Sequence, residues 1–165
     1  MKLAGIKVLD LSRFMPGSHL AMMMADHGAE IIKIEDTRSG DPVRQIGAAT
    51  GGQTVYFRNS NRGKKSIALD LKSDEGRELF LRLAEDADVV LETFRPGVVG
   101  RLGIDYDSVK ARAPRLVYCS ISAFGQDGPY RDRPAHDLSV CALAGVASMS
   151  VDSSGQPNMP CMPPS

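Results

Sequence analysis

The chain has 165 residues, enough for one domain with a substantial hydrophobic core. Its 20 basic and 20 acidic residues cancel, so the charge balance gives no sign of the one-sided basic surface of a nucleic-acid binder. No apolar run reaches the roughly 18 residues of a membrane span, the N-terminus does not read as a signal peptide, and three cysteines without a C-x-x-C pair suit a reducing compartment better than a disulfide framework or a zinc site. A cytoplasmic protein with no nucleic-acid partner, no membrane partner and no metal is expected.

Four short runs rich in Val, Ile and Leu alternate with helical patterns. The first covers residues 6–11. Residues 18–27 follow, apolar on nearly every side, which predicts a buried helix with Gly28 as its C-cap. His19 and His27, in or beside that helix, read as structural. The second run is 30–35. The basic segment 61–72 has two readings: lysines and arginines that hold phosphates beside a strand edge for an adenine ring, or a solvated basic turn before a short strand. Its Gly63-Lys64-Lys65-Ser66 lacks the first glycine and the final spacing of a P-loop. Ser73 is placed to N-cap a helix, with Asp74 and Glu75 complementing the helix dipole. Leu79, Phe80, Leu83, Ala84 and Ala87 make its apolar face. The third run is 88–92, an amphipathic stretch covers 105–113, and the fourth run, 116–121, reads as a buried parallel strand. This alternation predicts a Rossmann-like α/β domain over residues 1–150, with a mostly parallel sheet and flanking helices. The proline-rich residues 151–165 read as a connection.

In a parallel sheet the carboxyl ends of all strands share one edge, where open α/β sheets hold ligands. The polar segments 12–17, 35–38 and 93–97 leave the first three runs. The fourth leads to Gly125-Gln126-Asp127-Gly128-Pro129-Tyr130 and then Arg133-Pro134-Ala135-His136-Asp137. Arg38, Arg95, Arg101 and His136 are therefore expected on one rim, and arginines there suit a polyphosphate through bidentate pairing. For Arg95 and Arg101, which flank Pro96-Gly97, the alternative is a capped helix start. Neither a G-x-G-x-x-G fingerprint nor a G-x-S-x-G elbow is present.

The stretches GIKVLDLS (5–12), ADHGAE (25–30), KSIALDLK (65–72), FRPG (94–97), RLG (101–103), PRLV (114–117) and GQDGPY (125–130) stand in an order and spacing that is similar to the family III CoA-transferases. This CaiB/BaiF-type family includes the α-methylacyl-CoA racemases. The resemblance runs from Leu3 to about Gly145 and matches the N-terminal portion of the family. It implies coenzyme A or acyl-CoA as a substrate, with no permanently bound cofactor, a carboxylic acid as the other substrate, and an interlocked homodimer. It implies CoA contacts at Met15 and Pro16, at Leu69, Asp70, Leu71 and Lys72 for the nucleotide, at Thr93, Phe94, Arg95 and Arg101 for pantetheine and phosphates, and at Ala135, His136 and Asp137 near the thioester. Asp36 stands where family members carry an arginine for the phosphates, so either Arg38 or Arg44 replaces it or that contact is missing.

Two mechanisms follow from the resemblance. In CoA transfer an aspartate attacks the thioester and forms acyl and CoA intermediates. In racemisation that aspartate and a histidine exchange the α-proton, and His136 occupies the histidine's place, with an ordinary pKa of about 6.5 suited to general-base work near neutrality. Asp137 is alternatively an N-cap for the helix that follows it, and His136 and Asp137 a hydrogen-bonded pair. Asp152 reads as a turn residue. The resemblance thus implies an essential aspartate beyond Ser165, so these residues by themselves are expected to be inactive.

Overall fold

In chain order the elements are β1 (Lys7–Asp10), α1 (Met15–Asp26), β2 (Glu30–Glu35), a 3-10 turn (Pro42–Gln45), β3 (Ala49–Thr50), β4 (Gln53–Thr54), α2 (Val55–Asn61), β5 (Lys64–Ala68), α3 (Asp74–Glu85), β6 (Val89–Glu92), α4 (Val98–Leu102), α5 (Tyr106–Lys110), β7 (Val117–Ser120) and α6 (Asp137–Leu143). This computed structural model describes residues 1–146, 151 and 154–156. Two compact units form, Met1–Ser122 and Ala123–Ser165. The boundary predicted at residue 150 and most of the proline-rich stretch, with Asp152 and Cys161, lie outside the described residues.

The first unit holds a five-stranded sheet in the order β5-β2-β1-β6-β7, every neighbouring pair parallel. The order reverses at β1: the chain builds outward through β2 to β5 on one side, then returns to β6 and β7 on the other. Strand alternation divides the core into two faces. Val8, Ile31 and Leu91 pack with Ala21 of α1 on one face. Leu9, Ile34 and Val90 pack with Phe80, Leu81 and Ala84 of α3, and with Ile104 and Val109, on the other. A one-residue slip in pairing would exchange the two sets, so the buried patterns fix the register.

The predicted α3 begins where its sequence requires. Ser73 Oγ accepts the Gly76 amide at 3.0 Å, and Asp74 and Glu75 occupy the first turn. Its apolar face is rotated from the predicted one, because Leu79 is exposed while Gly76 and Leu81 are buried. Asp105 caps α5 by accepting the Ser108 amide at 3.0 Å. Gly28, with φ +100°, ends α1 as predicted, its amide on Ala25 O at 2.8 Å.

Four expectations need correction. The short strand expected in or after the basic segment begins earlier, at Lys64, and joins the sheet as a fifth strand, β5, at its edge. Helix α1 starts three residues earlier than predicted and is not buried all round: Met15, His19, Leu20 and Met23 remain exposed, while Gly17, Ser18, Ala21 and Met22 are buried. His19 and His27 are both exposed and pack in no core. The strand expected to be buried, β7, is the opposite edge, and its Val117 stays 60% exposed.

Candidate functional site

Reversal of strand order opens a crevice above the carboxyl ends of β1 and β6, the usual ligand position in an open parallel sheet. Two loops line it, residues 11–14 after β1 and 93–97 after β6. Thr93 joins them: its hydroxyl accepts the Arg13 amide at 2.8 Å and meets the Arg13 carbonyl at 3.2 Å. The Arg13 guanidinium lies 5.2 Å above the Phe94 ring, a cation–π contact across the same seam. Gly17 allows this closeness. A Cβ there would collide with Ser12 and stand 2.6 Å from Thr93 Cγ2.

Phe14, N-cap of α1, has φ 60° and ψ −156°, the one non-glycine residue with positive φ among those described. Such a conformation costs about 1–3 kcal/mol and persists only where its surroundings hold it. It leaves the Phe14 and Met15 side chains half-exposed at the crevice. No side chain caps α1, and its first turn carries no acidic residue.

Glu92 ends β6 on the α3 face and is 1% exposed. One carboxylate oxygen accepts the Phe94 amide at 2.6 Å and the other meets Ser120 Oγ, which sits opposite it in the β6–β7 register. Burial pushes Glu92 up to about 7, only partly countered by the Phe94 amide. Tyr118 and Cys119 on β7 are raised in turn, first by their own burial and then by the Glu92 charge.

The predicted contact residues of the first unit lie after β1, β5 and β6. Met15 and Pro16 form the first turn of α1. Residues 69–72 make the tight β5–α3 turn: Leu69 is buried with its amide on Glu35 O at 2.9 Å, and Asp70 accepts the Lys72 amide at 3.0 Å. Thr93 and Phe94 are half-buried and Arg95 is exposed in the β6–α4 loop, with exposed Arg101 in the last turn of α4. Among the described residues, the guanidinium groups of Arg38, Arg95 and Arg101 have no ion-pair partner.

Ala135, His136 and Asp137 belong to the second unit. His136 occupies the N-cap position of α6 without a side-chain cap bond, and Asp137 is the first helical residue. Asp137 is therefore not the N-cap, and no hydrogen bond joins it to His136; its carboxylate faces Cys141 Sγ at 4.0 Å. None of the α6 residues is buried.

Asp36 caps its own turn. Its carboxylate accepts the amides of Arg38 at 2.9 Å and Ser39 at 3.0 Å, which hold it below the usual carboxylate range. Of the two arginines expected to replace the missing one, Arg44 is already engaged, in a bidentate pair with Glu35 at 2.7 Å for both bonds and 3.8 Å above the Phe57 ring. Burial raises Glu35, but the bonds from Arg44, Ser66 and the Asp41 amide outweigh it and bring it down to about 2. Arg38 remains.

A cleft of about 500 Å³ lies between β2, β5 and α2, lined by Lys33, Arg44, Phe57, Arg58 and Lys64 among others. Its cations are mostly neutralised: Arg62 pairs with Asp26 at 2.5 Å, Lys65 with Glu30 at 2.6 Å, and Lys64 with Asp10 at 2.8 Å. Within the basic segment Arg62, Lys64 and Lys65 are thus engaged in ion pairs, while Lys72 takes part in none among the described residues.

Sequence reasoning missed Lys33, Lys64 and Glu92. One signal was available: the runs that became β1, β2 and β6 each end in a carboxylate, Asp10, Glu35 and Glu92. Among the described residues no group of three or more His, Cys, Asp or Glu could hold a metal ion, and no helix is long and apolar enough to cross a membrane.

An α/β domain with a switch-point crevice defines the broad class, and comparison with known proteins narrows it. The sequence pattern of CoA-transferase family III matches residues 3–164, and the chain belongs to that family. It is 40% identical over 162 residues to the succinate–glutarate CoA-transferase of Agrobacterium fabrum, covering 94% of this chain and 40% of that protein. It is 44% identical over 142 residues to the acetyl-CoA:oxalate CoA-transferase of Acetobacter aceti, covering 86% of this chain and 36% of the relative. A CaiB/BaiF family protein from Brucella suis has the same fold, with TM-score 0.88 and 38% identity over 94% of this chain and 42% of that one. The chain thus spans well under half the length of these relatives.

Proposed function

We propose that this chain is the coenzyme A-binding portion of an acyl-CoA transferase that moves CoA between a thioester and a carboxylic acid. The observation that carries the reading is the composition of the carboxyl edge. Exposed apolar Phe14 and Met15 lie at the crevice, while Arg38 and Arg95, after β2 and β6, have guanidinium groups without an ion-pair partner among the described residues. That pairing of apolar surface with unpaired guanidinium fits a ligand with an apolar arm and phosphates. Following the family resemblance, the Leu69–Lys72 turn and Arg101 are assigned to the nucleotide and phosphates, and Ala135, His136 and Asp137 of the second unit to the thioester.

In the transfer step an enzyme carboxylate attacks the thioester carbonyl, the C–S bond breaks and CoA leaves as thiolate, giving an acyl-enzyme anhydride. The carboxylates at the sheet's carboxyl edge are committed elsewhere: Asp10 is bonded to Lys64, Asp36 to its turn, Asp70 to the Lys72 amide and Glu92 is buried. As the family resemblance implies, we assign the nucleophilic aspartate to the part of the relatives' length that these 165 residues do not span, and expect the chain alone to be inactive. The same reading takes the protein as cytoplasmic and as a homodimer. The exposed stripe Met15, Leu20 and Met23 supports association, which sedimentation tests: a strictly monomeric species at all concentrations counts against it.

Titrating the ¹⁵N-labelled chain with CoA tests the binding assignment. Shifts are expected at residues 13–17, 69–72 and 93–95, with an affinity that falls as salt rises because guanidinium–phosphate attraction is screened. Replacing both Arg95 and Arg101 by Ala is expected to weaken binding about a hundredfold or more, each charge-assisted bond contributing about 1.5–3 kcal/mol. No perturbation of the crevice at millimolar CoA sinks the assignment.

A further inference from the structure

Four charged side chains are buried on the α1 face of the sheet, and the transfer step uses none of them. Asp10, Lys33, Asp41 and Lys64 have side chains 0–2% exposed. Buried ion pairs recover their desolvation cost poorly, and well-packed apolar residues of similar volume often give an equally stable protein. Stability is therefore a weak account of this cluster.

The destination of its hydrogen bonds is more informative. Lys33 Nζ, paired with Asp41 at 2.7 Å, donates to the Ser12 carbonyl at 2.8 Å. Lys64 Nζ, paired with Asp10 at 2.8 Å and bonded to Asn61 Oδ1 at 2.9 Å, donates to the Ser18 carbonyl at 2.9 Å. Asp10 Oδ1 accepts the Ser12 amide at 2.9 Å and the Ser12 hydroxyl, and that hydroxyl lies 3.2 Å from Ser18 Oγ. Both ends of residues 12–18 are thus tied to β1, β2 and β5, while Phe14 in the middle has the positive φ.

We propose that Asp10, Lys33 and Lys64 are positioning residues for the β1–α1 loop, holding residues 13–16 in the shape that receives a coenzyme A thioester before any ligand arrives; the identity of that ligand rests on the function proposed above. The two lysines anchor opposite ends of the loop, and Asp10 links them. Asp41 completes the set because its own amide is held by Glu35 Oε2 at 2.8 Å, which fixes the carboxylate that pairs with Lys33. The crevice wall is therefore shaped from the sheet side, by residues that need not touch the ligand.

The test is the paired variant Lys33→Met/Asp41→Asn. It removes both charges together, keeps the lysine's apolar stem, and leaves an Asn oxygen for the Val43 amide that Asp41 Oδ1 accepts at 2.9 Å. Amide hydrogen exchange at Ser12 and Arg13 is expected to accelerate at least tenfold, with Leu9 and Val90 in the strands unchanged. CoA affinity is expected to fall about fivefold or more. A role in bulk stability alone would instead raise exchange in loop and strands together, and that result overturns the proposal. Should the pair fail to fold, Ser12→Ala removes a single hydroxyl from the cluster and is read the same way; loop exchange at the wild-type rate overturns the proposal there too. A wild-type chain that does not bind CoA counts against the proposed function, and the exchange rates then decide the positioning role by themselves.

Discussion

Glu92→Gln is expected to abolish the loss of stability that Glu92 causes between pH 5 and pH 8, making the variant about 3 kcal/mol more stable than wild type at pH 8. Glu92 titrates near 7 when folded because burial disfavours its charge, against 4.5 for an ordinary glutamate. The folded state therefore binds the extra proton between those values. Its contribution is fully present below about pH 4.5 and is lost as pH rises through about 7. At about 1.36 kcal/mol per pH unit, the gap amounts to about 3 kcal/mol. Glutamine keeps what the site needs: an oxygen to accept the Phe94 amide and an amide group to face Ser120. Urea unfolding at pH 5, 6, 7 and 8 measures the effect. Parallel decline in wild type and variant would place the titrating group elsewhere.

The same residue connects stability to the site. Glu92 holds the amide of Phe94, and Phe94 and Thr93 form the seam with Arg13. Deprotonation above about pH 7 leaves a buried anion with one amide and one hydroxyl for solvation. Its cost falls on the β6–α4 loop, where the proposed pantetheine contacts lie.

How much of this was legible in the sequence depended on what each residue packs against. Strands covered on both faces read as continuous apolar runs, so β1, β2 and β6 were visible. The edge strand β5 was legible only as a short strand beside a basic turn, without its full extent, because among its Lys-Lys-Ser-Ile-Ala only Ile67 packs into the core. Helix α1 showed the opposite failure. Its methionines and leucine lie all round the helical wheel, so periodicity could not tell which side is buried, and Met15 and Met23 proved exposed. Nothing in the sequence marked Lys33 and Lys64 as interior, because lysine is seldom buried. Their partners Asp10 and Asp41 are distant in sequence and meet them only through strand order. Loop positions at the carboxyl edge were legible because parallel topology alone places them there. The seam between Arg13 and Thr93, 80 residues apart, was not.

Gly76→Ala carries a prediction whose sign is diagnostic. In an exposed helix interior, replacing Gly by Ala stabilises by roughly 1 kcal/mol, since alanine is the better helix former. Gly76, in the first turn of α3, is different because a Cβ there would overlap the Asp70 carbonyl oxygen and stand 2.7 Å from its carbon. That carbonyl is backbone and cannot rotate away. It also accepts the Ser73 amide and hydroxyl, both at 3.0 Å, so moving it opens the turn that joins β5 to α3 and disturbs the cap that starts the helix. Overpacking of this kind costs about 1–3 kcal/mol and more where backbone must shift, so alanine is expected to destabilise by about 3 kcal/mol in thermal or urea unfolding. Leu69, Asp70, Leu71 and Lys72, the proposed nucleotide contacts, lie in that turn. CoA affinity should therefore fall with stability, even under conditions where the variant remains folded. A stabilised Gly76→Ala protein would mean that α3 tolerates the side chain and that the β5–α3 turn is set by other contacts.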